Sequence, residues 1–187
     1  MILKTPYSLL AELEKVRFKD KPPIDLWRPE RVSNLDISIS AEGAWSYLGS
    51  PIERQRLTRL FSTLIRLEND GEYYLITPEE KYRIKVADVP FAAILMQEVG
   101  KGRHQSVSFT TNMGDVIILD DEHPLRIETN LKSGEASPYV MIRDGLEAKL
   151  SRNVYYQLMG LLEEEDDRLG IWSENIFFEL VDSSECF

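Results

Sequence analysis

Nine residues of mixed charge stand where the sequence predicts helix starts and loops at strand ends, the positions from which side chains often bind ligands. Guanidinium and ammonium groups occur there beside carboxylates, which suits a ligand that carries phosphate or carboxylate groups. The alternative interpretation is that the cations form a solvated strand face and that the asparagine and aspartate form an ordinary turn. The candidates are Arg54, Thr77, Glu80, Lys81, Arg83, Asn112, Asp115, His123 and Arg126.

The common catalytic and metal-binding motifs are missing from the sequence. No phosphate-binding loop of the GxxxxGK[ST] type is present, and Gly100-x-Gly102 lacks the third glycine of a dinucleotide-binding loop. Two histidines and a single cysteine, Cys186, exclude a histidine-rich zinc site and an intramolecular disulfide. The run from Asp120 to His123 has metal-ligating residue types, but consecutive loop residues rarely all turn towards one ion. We therefore predict no metal site and assign no cofactor.

Composition and charge limit the possible partners. The chain has 187 residues, 43% of them hydrophobic, which is enough for the core of one large domain or two small ones. A net charge of -10 argues against binding to nucleic acid or to an anionic membrane, because surfaces that do so are basic. The start of the chain does not resemble a signal peptide, and its longest apolar run, from Val89 to Met96, is too short to span a bilayer. We expect a cytoplasmic protein with no nucleic-acid or membrane partner.

The stretch from residue 35 to 66 has the clearest secondary-structure pattern. Residues 35–40 alternate between apolar and polar as in a half-buried strand, and Glu42-Gly43 predicts a tight turn into a second strand. Ser50-Pro51-Ile52-Glu53 has the form of a capping box, which predicts that a helix begins at this point. The helical spacing predicts five buried residues: Leu57, Leu60, Phe61, Leu64 and Ile65.

Three arginines of this predicted helix are expected to differ in exposure. Arg59 and Arg66 fall on the side opposite the apolar residues, so we expect both to be solvated. Arg54 lies in the first turn on the apolar side. It should therefore point towards the protein body at the positive end of the helix dipole.

The rest of the chain reads as strands with a helix near each end. Thr5-Pro6 can cap an amphipathic first helix, and residues 24–27 are expected to lie over the body as a strap. The acidic run 163–167 is interpreted as the solvated end of a second helix that begins near Asn153. Strands are predicted at 73–76, 82–86, 105–110, 116–119, 125–129, 139–143 and 146–150, and residues 171–178 as strand or packed coil.

Internal similarity favours a duplicated architecture. Gly43–Leu60 resembles Gly145–Leu162, and Tyr73–Ile84 resembles Val116–Ile127. The predicted fold class is α+β, a two-part core of antiparallel sheets that each carry a helix. We place an N-terminal helix and strap at 1–34, a first α+β unit at 35–98 and a second unit at 99–187, with Gly100 to Arg103 at the boundary.

A set of short motifs runs along the chain: Asp36-Ile-Ser-Ile, Gly43-x-Trp45, Gly49-Ser-Pro-Ile-x-Arg54, Asp70-Gly-x-Tyr-x-Leu-x-Thr77-Pro-x-Glu80-Lys-x-Arg83, Phe109-x-Thr-Asn-x-Gly-Asp115, His123-Pro-Leu-Arg126, Pro138-Tyr and Arg143-x-Gly145-Leu. Together they resemble a bacterial family catalogued as domain of unknown function 1285, over about residues 22–160. The one departure is Glu42, where aspartate is expected before the glycine.

The resemblance implies a duplicated core whose second half looks superficially like a pleckstrin-homology domain, a bent antiparallel sheet closed by a C-terminal helix. It also implies a nucleotide-like ligand held at the interface of the two halves by the nine candidates, and a role in signal transduction with a possible signalling protein partner. It implies no activity. Our first hypothesis is therefore a non-enzymatic module that binds a small anionic ligand.

Two other functions stay open at this point. The first is a hydrolase or transferase that uses Glu80, Asp115 and His123 as acid, base or metal ligands. The second is a protein-interaction adaptor, because domains of pleckstrin-homology type often bind peptides. Turnover that is lost on mutation of Glu80 and His123 would favour the enzyme, whereas a protein partner that is indifferent to Arg54→Ala would favour the adaptor.

Overall fold

The chain folds as two compact units, Met1–Pro90 and Phe91–Phe187. The computed structural model describes residues 5, 8, 11, 22–129 and 136–182. Within 22–129 and 136–182 the fold is α+β, with a six-stranded sheet and one α-helix in each unit and a three-stranded sheet near the C-terminus. No helix in these described ranges is long and apolar enough to cross a membrane.

The first unit contains two three-stranded antiparallel meanders joined by one parallel strand pair. Its sheet has the order β3-β2-β1-β6-β5-β4, in which β1 runs parallel to β6. Helix α1 connects the two meanders, and its Phe61 ring lies 6.4 Å from the ring of Trp45 on β2. The elements are β1 Arg31–Ile39, β2 Trp45–Tyr47, β3 Ser50–Pro51, α1 Gln55–Ser62, β4 Ile65–Leu67, β5 Tyr73–Ile76 and β6 Glu80–Val86.

The second unit repeats this topology. Its order, read from the other edge, is β9-β8-β7-β12-β11-β10, and β7 runs parallel to β12. Residues 91–99, which the sequence analysis places largely in the first unit, form β7 and pair with β8 and β12. The elements are β7 Phe91–Val99, β8 Ser106–Thr111, β9 Val116–Ile118, β10 Leu125–Thr129, β11 Ala136–Arg143, β12 Leu146–Leu150 and α2 Arg152–Met159.

The duplicated α+β core is thus confirmed, but the sequence similarities that suggested it do not align equivalent strands. Gly43–Leu60 contains β2 and α1, whereas Gly145–Leu162 contains β12 and α2. The sheet order makes β2 equivalent to β8 instead. The helices also differ in place, because α1 lies between the meanders and α2 follows both. A shared pattern of turn, strand and helix produced the match.

The predicted capping box at Ser50–Glu53 does not form. Leu48 and Gly49, with φ of 50° and 77°, make a two-residue hairpin turn that folds Ser50 and Pro51 back along β2. Proline is tolerated there because β3 is an edge strand. The helix begins only at Gln55, with Arg54 at the N-cap, and ends at Ser62. Of the five residues predicted to be buried, Leu60 is half-buried and the others are buried.

Arg59 is exposed as predicted, whereas the prediction for Arg66 is wrong. Because the helix has already ended, Arg66 lies on β4, and its side chain is only 17% exposed. Its Nη1 donates to the carbonyls of Ile24 and Trp27 at 2.9 and 3.0 Å. These bonds confirm the strap over residues 24–27. Thr5 and Ser8 exchange hydrogen bonds as in a helix cap, and the remainder of the predicted first helix falls outside the described residues.

The acidic run at 163–167 is part of a sheet and is not a helix end. Helix α2 ends at Met159, and Asp166 and Asp167, with φ of 51° and 61°, form the turn of a hairpin. The side chain of Glu165 is paired with Arg103, which reduces the repulsion within the run. The three strands, in the order β13-β14-β15, are β13 Glu163–Glu165, β14 Arg168–Ser173 and β15 Ile176–Asp182.

We expect Arg66→Ala to lower the free energy of unfolding by about 1–3 kcal/mol, because it removes a charged donor from two part-buried carbonyls and from Glu68. Arg59→Ala is the matched control and should change it by less than about 0.5 kcal/mol. Urea unfolding measures both variants. Equal effects of the two substitutions would contradict the assigned role of Arg66.

Candidate functional site

A row of cations lies along one face of β6. Lys81, Arg83 and Lys85 alternate with Tyr82 and Ile84, which are buried on the other face, as the sequence predicts. Arg83 donates from Nε and Nη2 to the hydroxyl of Tyr74 on β5, at 3.3 and 3.1 Å. Lys81 Nζ lies 4.7 Å from the centroid of the Tyr74 ring. Tyr74 therefore anchors two of the nine candidates.

Two carboxylates border this row. The pKa of Asp70 lies below its usual value because it accepts hydrogen bonds from the backbone N–H of Glu72 and from the Tyr74 hydroxyl. For Glu68, partial burial raises the pKa. The hydrogen bonds and charge of Arg66, together with the charge of Lys81, have the larger combined effect, so the pKa lies below its usual value. The Tyr74 hydroxyl thus donates to Asp70 and accepts from Arg83, which fixes the position of the Arg83 guanidinium.

Arg83 and Lys85 also line a cavity at a β-bulge. The register between β1 and β6 shifts between the pairs Asn34–Arg83 and Ser38–Lys85, so three residues of β1 stand opposite one residue of β6. The cavity there has a volume of about 420 Å³. Lys85 Nζ lies 3.6 Å from Asp36 at the same place. We call this space the bulge cavity; it is lined by Asn34, Leu35, Asp36, Tyr47, Leu48, Arg83, Ile84 and Lys85.

A second cavity of the first unit contains Arg54. It has a volume of about 400 Å³ and is formed by the β2–β3 hairpin and the first turn of α1, including Glu53 and Leu57. Tyr47 and Leu48 line this cavity as well as the bulge cavity. The two cavities therefore share the β2–β3 hairpin near its turn. Each contains one of the candidate arginines, Arg54 in this cavity and Arg83 in the bulge cavity.

Thr77 and Glu80 stabilise the turn into β6 and the junction with β1. Thr77 Oγ1 donates to the carbonyl of Glu80 at 2.7 Å and accepts from its N–H at 3.0 Å. The Glu80 residue is only 4% exposed, and its carboxylate accepts hydrogen bonds from Ser33 on β1 and from the Tyr82 hydroxyl. These contacts hold the strands together around the carboxylate.

In the second unit, Asn112 and Asp115 stabilise the turn between β8 and β9. The side-chain oxygen of Asn112 accepts from the N–H of Ala92 at 3.2 Å, and the N–H of Asn112 donates to the Ala92 carbonyl at 2.8 Å. Asp115 lies 3.7 Å from Arg143, whose guanidinium stacks 5.1 Å from the Phe91 ring. Both candidates therefore have contacts that stabilise the start of β7.

His123 and Arg126 have local partners too. His123 Nδ1 lies 3.0 Å from Asp120, which also accepts from the His123 N–H at 2.9 Å. Burial raises the pKa of Asp120. The hydrogen bonds from the side chain and backbone of His123 lower it by a larger amount, so the pKa lies below its usual value. Arg126 makes a two-pronged ion pair with Glu147, both bonds 2.7 Å long, above the Tyr139 ring. Among the described residues, no three His, Cys, Asp or Glu side chains are grouped so that they could hold a metal ion.

The sequence analysis missed two features. Lys85 in the bulge cavity could have been found from the alternation of Lys81 and Arg83, which extends to it. Asn34 could not, because it reaches the cavity through strand pairing at a bulge that has no local pattern in the sequence. The other is a cavity of about 470 Å³ in the second unit. It is lined by Ala136, Ser137, Pro138, Lys149, Leu150, Arg152, Tyr155 and Tyr156.

The chain matches family models over both units. A model of the N-terminal domain of DUF1285, a domain of unknown function, matches residues 22–89, and a model of the C-terminal domain of this protein of unknown function matches residues 90–180. The chain belongs to the DUF1285 family. The division between the two family domains falls at Pro90, as does the division between the two units.

Two crystal structures resemble this DUF1285 protein. A DUF1285 family protein from Silicibacter pomeroyi, solved at 2.50 Å, is 39% identical, with a TM-score of 0.87 over 95% of this chain and 97% of that chain. A DUF1285 family protein from Shewanella baltica, solved at 1.40 Å, is 27% identical, with a TM-score of 0.53 over 67% of this chain and 91% of that chain. A comparison with curated proteins gives no match.

Removal of the Tyr74 hydroxyl should raise the pKa of Asp70. The variant Tyr74→Phe keeps the ring beside Lys81 and deletes the O–H donor to the carboxylate. The carboxyl carbon of Asp70, followed by NMR during an acid titration, should show a higher midpoint than in the original protein. An unchanged midpoint would show that the bond from the Glu72 N–H accounts for the lowered pKa by itself.

Arg126 and Glu147 should behave as a structural pair. Because Arg126 is 45% exposed and solvent screens its charge, a double-mutant cycle with Arg126→Ala and Glu147→Ala should give a coupling of about 0.5–1 kcal/mol. Thermal unfolding of the two single variants and the double variant measures it. Strict additivity of the two substitutions would return Arg126 to the list of residues available to a ligand.

Proposed function

We propose that this DUF1285 protein is a non-enzymatic binding protein for a small anionic ligand and that the bulge cavity is its binding site. The observation that carries the proposal is the convergence of Arg83, Lys85 and the Asn34 amide on one cavity of about 420 Å³. Pockets of about this size with a few convergent polar groups are typical of small-molecule sites.

Electrostatics of the cavity support an anion even though the chain carries a net charge of -10. Among the lining residues of the bulge cavity the cations Arg83 and Lys85 stand against one carboxylate, Asp36, while Asp70, which lies 3.9 Å from Arg83, is outside the lining. The pKa of Arg83 lies above its usual value, first because Tyr74 accepts its hydrogen bond, and the guanidinium remains charged. Tyr74 and Asp70 hold Arg83 in place, while about half of its side chain stays accessible to a ligand.

The apolar part of the cavity indicates the ligand class. Tyr47 and Leu48 form an aromatic and aliphatic wall beside the cations. A molecule that combines a planar group with a phosphate would use both, so nucleotide-like ligands are our first choice. A binding protein of this kind fits a role in bacterial signal transduction, in which a change in ligand concentration alters contact with a protein partner in the cytoplasm.

Thermal unfolding against a panel of nucleotides, cyclic nucleotides and sugar phosphates tests this function. A ligand at about 100 times its dissociation constant stabilises the fold by roughly 2.7 kcal/mol, which should raise the midpoint by about 5–11 °C. The shift should shrink strongly in Arg83→Ala and Lys85→Ala, because each removes a cation from the cavity wall.

Three control variants locate the site. Arg59→Ala removes an exposed arginine that lines neither cavity of the first unit and should leave the shift unchanged. Loss of the shift in Arg54→Ala alone would move the site to the adjoining cavity, and loss in Arg152→Ala alone would move it to the second unit. A panel that gives no shift would reject the ligand-binding function and favour the adaptor.

A further inference from the structure

Exposed apolar side chains concentrate on one part of the second unit. Five of the nine large hydrophobic residues that are well exposed in the described part of the chain lie on β7 and β9. They include Val116 and Ile118, which are 65% and 43% exposed on a strand of three residues. Exposed apolar clusters of this kind mark interaction surfaces on proteins.

The strand register places these residues on a face that carries no charge. Leu95 stands opposite Thr110, and Thr110 opposite Val116. The next row runs from Gln97 through Ser108 to Ile118, and the last joins Val99 to Ser106. We call this surface the β7–β9 face; it consists of Leu95, Gln97, Val99, Ser106, Ser108, Thr110, Val116 and Ile118. In a chain with 29% charged residues, an uncharged face across three strands is unusual.

The same face ends at an open strand edge. β9 is the last strand in the order of its sheet, and in the described residues only β8 pairs with it. The Asp115 carbonyl accepts from Thr111, and the Leu119 N–H donates to Val107, so both of these residues direct backbone groups towards β8. Backbone groups alternate sides along a strand, and those of Val116 and Ile118 therefore point outward.

We infer that this edge pairs with β9 of a second copy of the chain, antiparallel and about a twofold axis at Ile117. This register sets Val116 opposite Ile118 of the second copy, which brings the outward N–H and C=O groups of both residues into hydrogen-bonding position. It also makes the two β7–β9 faces continuous, so that apolar side chains of both copies pack together across the axis.

Charge favours a second copy of this acidic chain at this place. A net charge of -10 opposes association wherever carboxylates of two copies would meet. Pairing about Ile117 sets Asp115 opposite Leu119 and Asp120 opposite Gly114, so no carboxylate faces another. Asp115 is moreover already paired with Arg143, and Asp120 with His123.

Sedimentation equilibrium of the full chain tests the inference. The average mass should rise with concentration from 21.6 kDa towards twice that value. Val116→Lys places a charge on the β7–β9 face of both copies and should weaken association at least about tenfold. Val32→Lys is the matched control, because Val32 is also an exposed strand valine, 53% exposed on β1, and it should leave association unchanged.

The remaining outcomes of this experiment overturn the inference. An original chain that stays at the mass of one copy up to about millimolar concentration excludes the dimer, since even weak specific interfaces assemble there. Association that persists in Val116→Lys shows that another surface is used. The thermal midpoint of Val116→Lys, measured at low concentration, verifies that the variant is folded.

Discussion

The parallel strand pair at the centre of each sheet is the constraint on which the rest of the structure depends. Pairing of β1 with β6, and of β7 with β12, joins the first strand of one meander to the last strand of the other. A parallel pair cannot be closed by a tight turn, so a whole crossover must fold before the two strands meet. The bulge cavity exists because this pair in the first unit changes register beside Arg83.

Several polar motif residues stabilise these junctions directly. Glu80 joins β6 to β1 through Ser33, and Asn112 holds the backbone of Ala92 where β7 meets β12. A buried polar group without a partner would cost about 1–3 kcal/mol, so such residues must occur together with their partners. Residues that look like a ligand constellation in the sequence can therefore reflect the demands of the sheet. Of the candidates, Arg54 and Arg83 also line the cavities described above.

Sequence patterns correctly predicted the strands and turns that depend on residues close together in the chain. Alternation identified β6 and the second half of β1, and Glu42-Gly43 identified the turn into β2, where Gly43 has a φ of 79°. The prediction of a capping box was wrong because Ser50 and Pro51 pair with β2. The prediction of a solvated Arg66 was wrong because its side chain binds carbonyls of the strap, which lies 39 to 42 residues away in the sequence. The bulge cavity and the uncharged β7–β9 face follow from strand register, which depends on partners that are distant in the sequence.

Charge distribution separates the two proposed surfaces. In the second unit the candidate Arg126 is paired with Glu147 and the candidate Asp115 with Arg143, so these residues are less available to a small anion. The β7–β9 face lacks charge, so a second copy of this acidic chain can contact it without repulsion between carboxylates. The side chains of Arg83 and Lys85 in the first unit are 47% and 82% exposed, which suits a ligand of opposite charge. Because Arg83 and Val116 belong to different units, ligand binding and association can be altered one at a time.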